Sequence, residues 1–169
     1  MPPLIYTQPS ELESLVPHKL ADELRETVEA ACHALGQIPQ PLVSRPLGAG
    51  PSGSVKWSAK QVIGHLIDSC ANNLQRFVRL QIEPEIHLPG YKQEEWVSVQ
   101  RYDLLPWMQA LETWRVLNMH LAHVVQHIDR EHLGHVWHTD EGPLTLGFLV
   151  EDYIAHMKHH LRQLPVYQD

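Results

Sequence analysis

Apolar side chains recur at three- and four-residue spacing in four long segments of the chain, which is typical of helices that bury one face. A shorter helical pattern follows the second segment, whereas the alternation typical of strands is weak throughout. Ser10 and Glu13 have the spacing of a capping box and predict the start of the first helix. The predicted helices are Ser10–Leu35, Ser58–Ile82, Gln93–Val99, Trp107–Ile128 and a last one from Pro143 or Thr145 to Leu164.

Proline and glycine mark the connections between these helices. The segment Ile38–Gly53 holds four prolines and three glycines without a periodic apolar pattern, and Pro84–Gly90 has the same character. Pro165 ends the last helix. Four long helices joined by two long connections predict an all-α fold, a four-helix bundle with long crossover connections, formed as one domain by residues 1–169.

The composition narrows the range of functions. The formal net charge is −7 at pH 7, and the 13 Lys and Arg residues form no run, so nucleic acid is not an expected partner. No apolar stretch approaches the ~20 residues of a membrane span, and the N-terminus lacks the apolar core of a signal peptide. We therefore expect a cytoplasmic protein without a membrane partner. Cys32 and Cys70 form no CxxC pair, so sulfur ligands for a metal are not expected.

Two histidines near the end of the last helix have the spacing of metal ligands. Because successive helical residues turn by about 100°, His156 and His160 share a face, away from the charged stripe of Glu151, Lys158 and Arg162. Histidines at i and i+4 aim both rings at one point and supply half of a site for a divalent ion. The same pair could instead be hydrogen-bonded in the core or flank a solvated face.

A zinc-type site needs a third protein ligand, ordinarily from another helix. His120, His123 and His127 form a stripe on the third long helix, but this stripe flanks the apolar positions and predicts an amphipathic surface. Three more histidines, His132, His135 and His138, lie in an irregular stretch that predicts a solvated loop.

The remaining candidate ligand is His65, in the second long helix. It heads a polar row that also contains Ser58, Gln61, Ser69, Asn72 and Arg76. Taken alone, this row predicts a solvent-exposed face. Alternatively, the row lines a polar internal cavity while the apolar face packs against other helices or another subunit, and helical periodicity does not separate these two readings.

The surrounding motifs resemble a known family. The sequence W-S-x-x-x-V-I-G-H-L-x-D-S-x-x-N-N-x-x-R-F, Trp57–Phe77, resembles the second helix of the DinB-like superfamily, specifically its YfiT-type group of metal-dependent hydrolases. The segment Pro89–Trp107 resembles the connection of that group, and Thr145–Leu164 resembles its last helix. The resemblance covers the chain from about Trp57 onward.

The resemblance implies a four-helix bundle that holds one divalent ion, zinc or nickel, through His65, His156 and His160. It therefore favours an internal position for His65, whereas His159 matches a neighbouring histidine that is not a ligand. It further implies a small-molecule substrate, with either hydrolysis or transfer of a low-molecular-weight thiol. The segment AHMKHH lacks the Trp and Gly of the Trp-His-Gly-Lys-His-His sequence of some thiol transferases in this superfamily, which weakens the case for that activity.

Four further residues are candidates for the pocket around this ion. Arg76, on the polar row of the second long helix, could clamp a carboxylate or a phosphate, with a surface salt bridge as the alternative. Asp152, one turn before His156, could accept an N–H from a ligand histidine or act as a general base. Asp68 and Asn72 could bind the substrate or a thiol cofactor.

Three interpretations of the histidine site remain open. The first is a metal-dependent enzyme, with an open position at the ion and a polar cavity behind it. The second is a non-catalytic metal-binding or stress-response protein, with a closed ion and no useful pocket. The third is that the histidines bind only nickel from a purification column. A homodimer is also expected, because the second helix has an apolar face to bury.

Overall fold

The computed structural model describes residues 12, 14–48 and 56–167 of the chain. Four long helices dominate it, as predicted, and their C-terminal ends fall within a few residues of the predicted ones. The capping box predicted at Ser10 and Glu13 lies outside the described residues. In chain order the helices are α1 (Pro17–Leu35), α2 (Gln40–Val43), α3 (Ala59–Arg79), α4 (Gln93–Val99), α5 (Trp107–Gln126) and α6 (Leu146–Leu161).

Of the consecutive long helices, only α3 and α5 are packed side by side in the bundle. Helix α1 packs against α5, α5 against α3, and α3 against α6, which also contacts α1. The α1–α3 and α5–α6 connections therefore cross between helices that are not adjacent in the bundle. This confirms the predicted fold class, an all-α four-helix bundle with long crossover connections. Among the described residues, no helix is both long and apolar enough to cross a membrane.

Side chains cap the N-termini of the two helices that carry the candidate ligands. The Ser58 hydroxyl accepts a hydrogen bond from the Gln61 amide at 3.4 Å, and the Gln61 side chain accepts one from the Ser58 amide at 3.0 Å. This capping box satisfies two amides that lack partners within α3. Thr145 caps α6 in the same manner, accepting from the Phe148 amide at 3.2 Å.

The apolar faces of all four long helices meet in one core. Trp107 and Trp114 on α5 are fully buried, and the Trp107 indole donates to the Leu35 carbonyl at the end of α1, at 3.2 Å. A polar pair crosses the core, where the Tyr153 hydroxyl donates to the Asn118 side chain at 2.5 Å. Other large, fully buried side chains are Leu24, Ile63, Leu66, Phe77, Leu121, Leu146 and Met157.

A small sheet, which the sequence analysis did not predict, joins two of the connections. Its strands are β1 (Glu85–Ile86), β2 (Val136–Thr139) and β3 (Gly142–Thr145). Strand β1 pairs with β2 in parallel, and β2 pairs with β3 as an antiparallel hairpin that leads directly into α6. Gly142, with φ of 126°, closes the hairpin in a conformation that favours glycine. Strands of two to four residues are too short to show the alternation on which strand prediction depends.

His132, His135 and His138 do not lie in a solvated loop, so that prediction is wrong. His132 belongs to a 3-10 helix (Arg130–Gly134) and His138 to β2, and both side chains are only partly exposed. His138 contacts the Glu85 carboxylate at 3.1 Å, and His135 Nδ1 lies 2.5 Å from the Leu80 carbonyl oxygen. His135 therefore joins the start of β2 to the end of α3, and His138 joins β2 to β1.

The apolar face of α3 is already covered within the chain. Val62, Ile63, Leu66 and Phe77 are buried where α3 packs against α5 and α6. This face therefore gives no support to the expected homodimer, which stays a prediction.

Gly64 on α3 allows the α3–α5 connection to approach the helix closely. A Cβ atom at this position would lie 2.2 Å from the nearest ring carbon of Tyr102, which is 5% exposed. The Tyr102 ring therefore occupies the place where any other residue on α3 would carry its side chain, directly beside His65.

We predict that Gly64→Ala destabilises the protein, even though alanine favours an α-helix over glycine by about 1 kcal/mol. The ring is buried and its hydroxyl is hydrogen-bonded to Asp68, and overpacking of this kind typically costs about 1–3 kcal/mol. Urea denaturation followed by circular dichroism measures the change. Gly90→Ala is the matched control, because a Cβ atom there contacts nothing within 4 Å. Equal stability of both variants would contradict the close packing of Tyr102.

Candidate metal centre

Three histidines from two helices meet inside the bundle. His65 comes from α3, and His156 and His160 come from successive turns of α6. Each offers a ring nitrogen, and the three nitrogens lie within 4.8 Å of one another. Within the described parts of the chain, no other group of three or more His, Cys, Asp or Glu side chains converges in this way.

The two nitrogen separations that involve His156 match those around a tetrahedral metal ion. His156 Nε2 lies 3.3 Å from His65 Nε2 and 3.1 Å from His160 Nε2. Two imidazoles on one tetrahedral zinc ion, with Zn–N bonds of about 2.0–2.1 Å, place their nitrogens about 3.3 Å apart. The His156 ring thus has the spacing of a shared zinc ligand with each of the other two rings, and all three nitrogens lie within 4.8 Å of one another.

Burial keeps these imidazoles neutral, which is the form that binds a metal ion. His65 is fully buried, and desolvation together with the nearby His156 lowers its pKa to about 4. Desolvation and three neighbouring histidines lower the pKa of His160 to about 3, and desolvation also lowers the pKa of His156. Three neutral nitrogen donors whose Nε2 atoms converge are the donor set that zinc and nickel prefer.

The polar row of α3 faces the interior, so the first of the two readings from the sequence, a solvent-exposed face, is wrong. Ser58, His65, Ser69 and Arg76 are buried, and the other two members of the row, Gln61 and Asn72, are half-buried. The Trp57 ring packs against the His65 ring at a centroid distance of 5.1 Å. The α3–α5 connection provides the opposite wall of this interior, through Tyr102 and its neighbours.

Asp68 fastens this connection to α3. Its Oδ1 atom accepts hydrogen bonds from the Gln100 side chain at 2.5 Å and from the Tyr102 hydroxyl at 2.7 Å. Its Oδ2 atom is buried and has no hydrogen-bond partner among the described residues. Desolvation raises the pKa of Asp68, although both hydrogen bonds favour the charged carboxylate. The sequence had suggested a substrate-binding role for Asp68; the structure gives it this fastening contact.

Arg76 and Asn72 lie further along α3 and make contacts within the fold. Arg76 follows His65 by eleven residues, which corresponds to about 16 Å along a helix. Its guanidinium stacks on the Trp137 ring of β2, 3.8 Å from the ring centroid, and donates to Asn73 at 3.1 Å. The Asn72 side chain donates to the Asp68 carbonyl at 2.8 Å. The structure therefore does not bring these two side chains together with the three histidines.

Asp152 and His159 lie on α6 beside the candidate ligands. Asp152 is exposed, and among the described residues no hydrogen bond joins it to His156. His159 is exposed and contacts Gln163 through its Nε2 atom at 3.1 Å. The three histidines of α5 are exposed as predicted.

An open cavity of about 610 Å³ reaches the histidine cluster at His160. Volumes of about 300–1,000 Å³ are typical of small-molecule sites. Most of the lining residues are polar or charged, and their spacing in the sequence does not link them because they come from separate segments of the chain. The cavity is lined by Leu47, Lys56, Trp57, Gln93, Glu94, His160, Arg162 and Gln163.

This chain belongs to the DinB superfamily, whose family model matches residues 18–164. The family resemblance inferred from the motifs is therefore confirmed. Two curated relatives, from Bacillus cereus and Bacillus anthracis, carry the name "Putative metal-dependent hydrolase". Each is 27% identical over 105 residues, which are 62% of this chain and 60% of the relative. The match therefore spans less than two thirds of the length of these relatives.

A solved structure shows the same fold. YfiT from Bacillus subtilis, described as a probable metal-dependent hydrolase with an unusual four-helix bundle topology, is similar with a TM-score of 0.78. The similarity covers 97% of this chain and 89% of YfiT, at 17% sequence identity. At that identity the likeness bears on the fold, and it agrees with the bundle described above.

We predict that tag-free protein binds about one divalent ion per chain. Replacing His160 by alanine should abolish this stoichiometric binding, because two imidazoles alone hold zinc or nickel far more weakly. Replacing His123, an exposed histidine with the same i, i+4 spacing to His127, should leave it unchanged. Mass spectrometry of metal content measures both. Ion loss only in His123→Ala, or no bound ion in the wild type, would contradict the site.

Proposed function

We propose that this protein is a metal-dependent hydrolase that acts on a small anionic molecule. The observation that carries the proposal is the convergence of three neutral imidazole nitrogens, at 3.1 Å and 3.3 Å, beside an open cavity of about 610 Å³. A purely structural metal site is ordinarily closed by four protein ligands, whereas a catalytic site keeps a position open.

His65, His156 and His160 would hold the ion, which we take to be zinc or nickel. Three neutral ligands leave its positive charge uncompensated, so when bound it supplies Lewis acidity that polarises a substrate oxygen and acidifies water. The rigid helices α3 and α6 orient the three rings, and Trp57 packs against His65 from the cavity side. His160 also lines the cavity, so a substrate held there lies beside the ion.

The names of the curated relatives favour hydrolysis over thiol transfer as the reaction. The open cavity favours an enzyme over a non-catalytic metal-binding or stress-response protein, for which no cavity beside the ion is needed. The cluster also argues against binding of column nickel alone, because its three histidines come from two helices and are buried or half-buried.

We predict that the zinc- or nickel-loaded protein hydrolyses activated esters or phosphoesters, with a rate that falls about 100-fold or more in His160→Ala. The matched control is His159→Ala, which removes the neighbouring exposed histidine of the same helix and should keep most of the activity. Release of para-nitrophenol from a panel of esters measures the rates. Stoichiometric metal binding without hydrolysis of any ester, amide or phosphoester in such a panel would contradict hydrolysis and favour the non-catalytic alternative.

The charges around the cavity support an anionic substrate. Lys56 and Arg162 line it and form no ion pair with any described residue, whereas Glu94 is the one acidic residue in the lining. The lining thus has a net positive charge in a chain whose formal net charge is −7. A site of opposite sign to the rest of the protein attracts and orients substrates that carry a carboxylate or a phosphate.

We predict that Lys56→Gln and Arg162→Gln each lower kcat/KM for an anionic ester by about 2- to 5-fold, which corresponds to at most about 1 kcal/mol for an exposed charge pair. Both should leave kcat/KM for a neutral ester unchanged, and the effect should weaken with added salt. Glu94→Gln is the matched control of opposite sign and should raise kcat/KM for the anionic ester. Para-nitrophenyl hemisuccinate and para-nitrophenyl acetate form a suitable pair. Equal effects on both esters would contradict the anionic substrate.

A further inference from the structure

Buried polar atoms without partners are concentrated at the histidine cluster. Such atoms are rare in folded proteins, because burying a donor or acceptor without a hydrogen bond is costly. Five are found among the described residues, and three of them belong to His65, Asp68 and His160. Two of these residues, His65 and Asp68, are neighbours on α3.

The unpaired atom of His65 is the nitrogen that faces away from the cluster. His65 Nε2 contacts His156, so Nδ1 is the nitrogen that must carry the proton when Nε2 binds an ion. This Nδ1 is buried and has no partner among the described residues. A metal-binding histidine almost always donates its second N–H to a carboxylate, a carbonyl or a water molecule, which fixes the ring and strengthens the metal bond.

The unpaired atom of Asp68 is an acceptor one helical turn away. Residues at i and i+3 are neighbours on the surface of a helix. Asp68 is 2% exposed, and its Oδ1 atom is held by Gln100 and Tyr102, which leaves Oδ2 as a fixed, buried acceptor. The complementary pair is thus an N–H on His65 and a carboxylate oxygen on Asp68.

We propose that Asp68 positions His65 for metal binding, its Oδ2 atom accepting the Nδ1–H through one water molecule. This inference rests on the proposed metal site. It replaces Asp152, the carboxylate that the sequence had suggested for this role, because Asp152 is exposed whereas Asp68 is buried with a free acceptor atom. It also accounts for the presence of a carboxylate at the position on α3 to which Gln100 and Tyr102 bind.

The alternative is that Asp68 serves only to hold the connection, and two variants separate the roles. Asp68→Asn keeps an oxygen for Gln100 and Tyr102 but replaces Oδ2 with an NH₂ group, which cannot accept from Nδ1–H. Tyr102→Phe removes one hydrogen bond to Oδ1 and leaves Oδ2 intact. Asp152→Asn tests the competing carboxylate on α6.

The experiment measures zinc dissociation constants by competition with a chelating dye, together with the visible spectrum of the cobalt-substituted protein. We expect Asp68→Asn to bind zinc about 10- to 100-fold more weakly and to alter the cobalt bands, with Tyr102→Phe and Asp152→Asn close to wild type in both. Thermal denaturation of the metal-free proteins reports any loss of the fold.

Wild-type zinc affinity and cobalt bands in Asp68→Asn would overturn the positioning role while leaving the metal site intact. The positioning role would also be overturned if Tyr102→Phe weakened zinc binding as much as Asp68→Asn, or if only Asp152→Asn weakened it. Absence of zinc binding by the wild type would overturn the proposed function itself, so the two failures are distinguishable.

Discussion

The burial of a polar helix face is the constraint on which this structure depends. Helix α3 carries apolar residues on one side and His65, Asp68, Ser69 and Arg76 on the other, and both sides are buried. Buried polar groups need hydrogen-bond partners, so the chain must supply a second polar surface to cover this face. The connection between α3 and α5 does so, and its fit depends on the absence of a side chain at Gly64.

That connection is held at separate points along α3, which keeps the polar interior rigid. Gln100 and Tyr102 bind Asp68 near the middle of the helix. Arg101, between them, has φ of 53°, a left-handed conformation that costs a residue with a Cβ atom about 1–2 kcal/mol. The contacts on either side of Arg101 must therefore outweigh this cost. Further along, Arg76 stacks on Trp137 and ties the small sheet to the same helix.

Sequence alone predicted the parts of the structure that local periodicity controls. The four long helices and the shared face of His156 and His160 follow from spacing on one helix, and the structure agrees with both. The inward position of His65 did not follow from periodicity, because an amphipathic helix looks the same whether its polar face meets water or a polar interior. Only the family resemblance predicted it correctly.

The contacts that sequence missed join residues far apart in the chain. Gln100 and Tyr102 follow Asp68 by 32 and 34 residues, and the cavity combines Lys56 with Glu94 and Arg162. No spacing rule connects such positions, since their proximity is created by the crossovers. The short strands were not predicted for a related reason. β1 and β2 pair with each other although all of α5 lies between them in the sequence.

Burial distinguishes the three candidate metal ligands from the other histidines of the chain better than their spacing does. The chain has 13 histidines, and pairs at i and i+4 occur on both α5 and α6. At the C-terminal end of α5, His123 and His127 are exposed, so water competes for their nitrogens. On α6 the equivalent pair meets a third, fully buried ring from α3. An ion at this point would bind the three converging nitrogens, and it would join the polar interior of α3 to the cavity as one site.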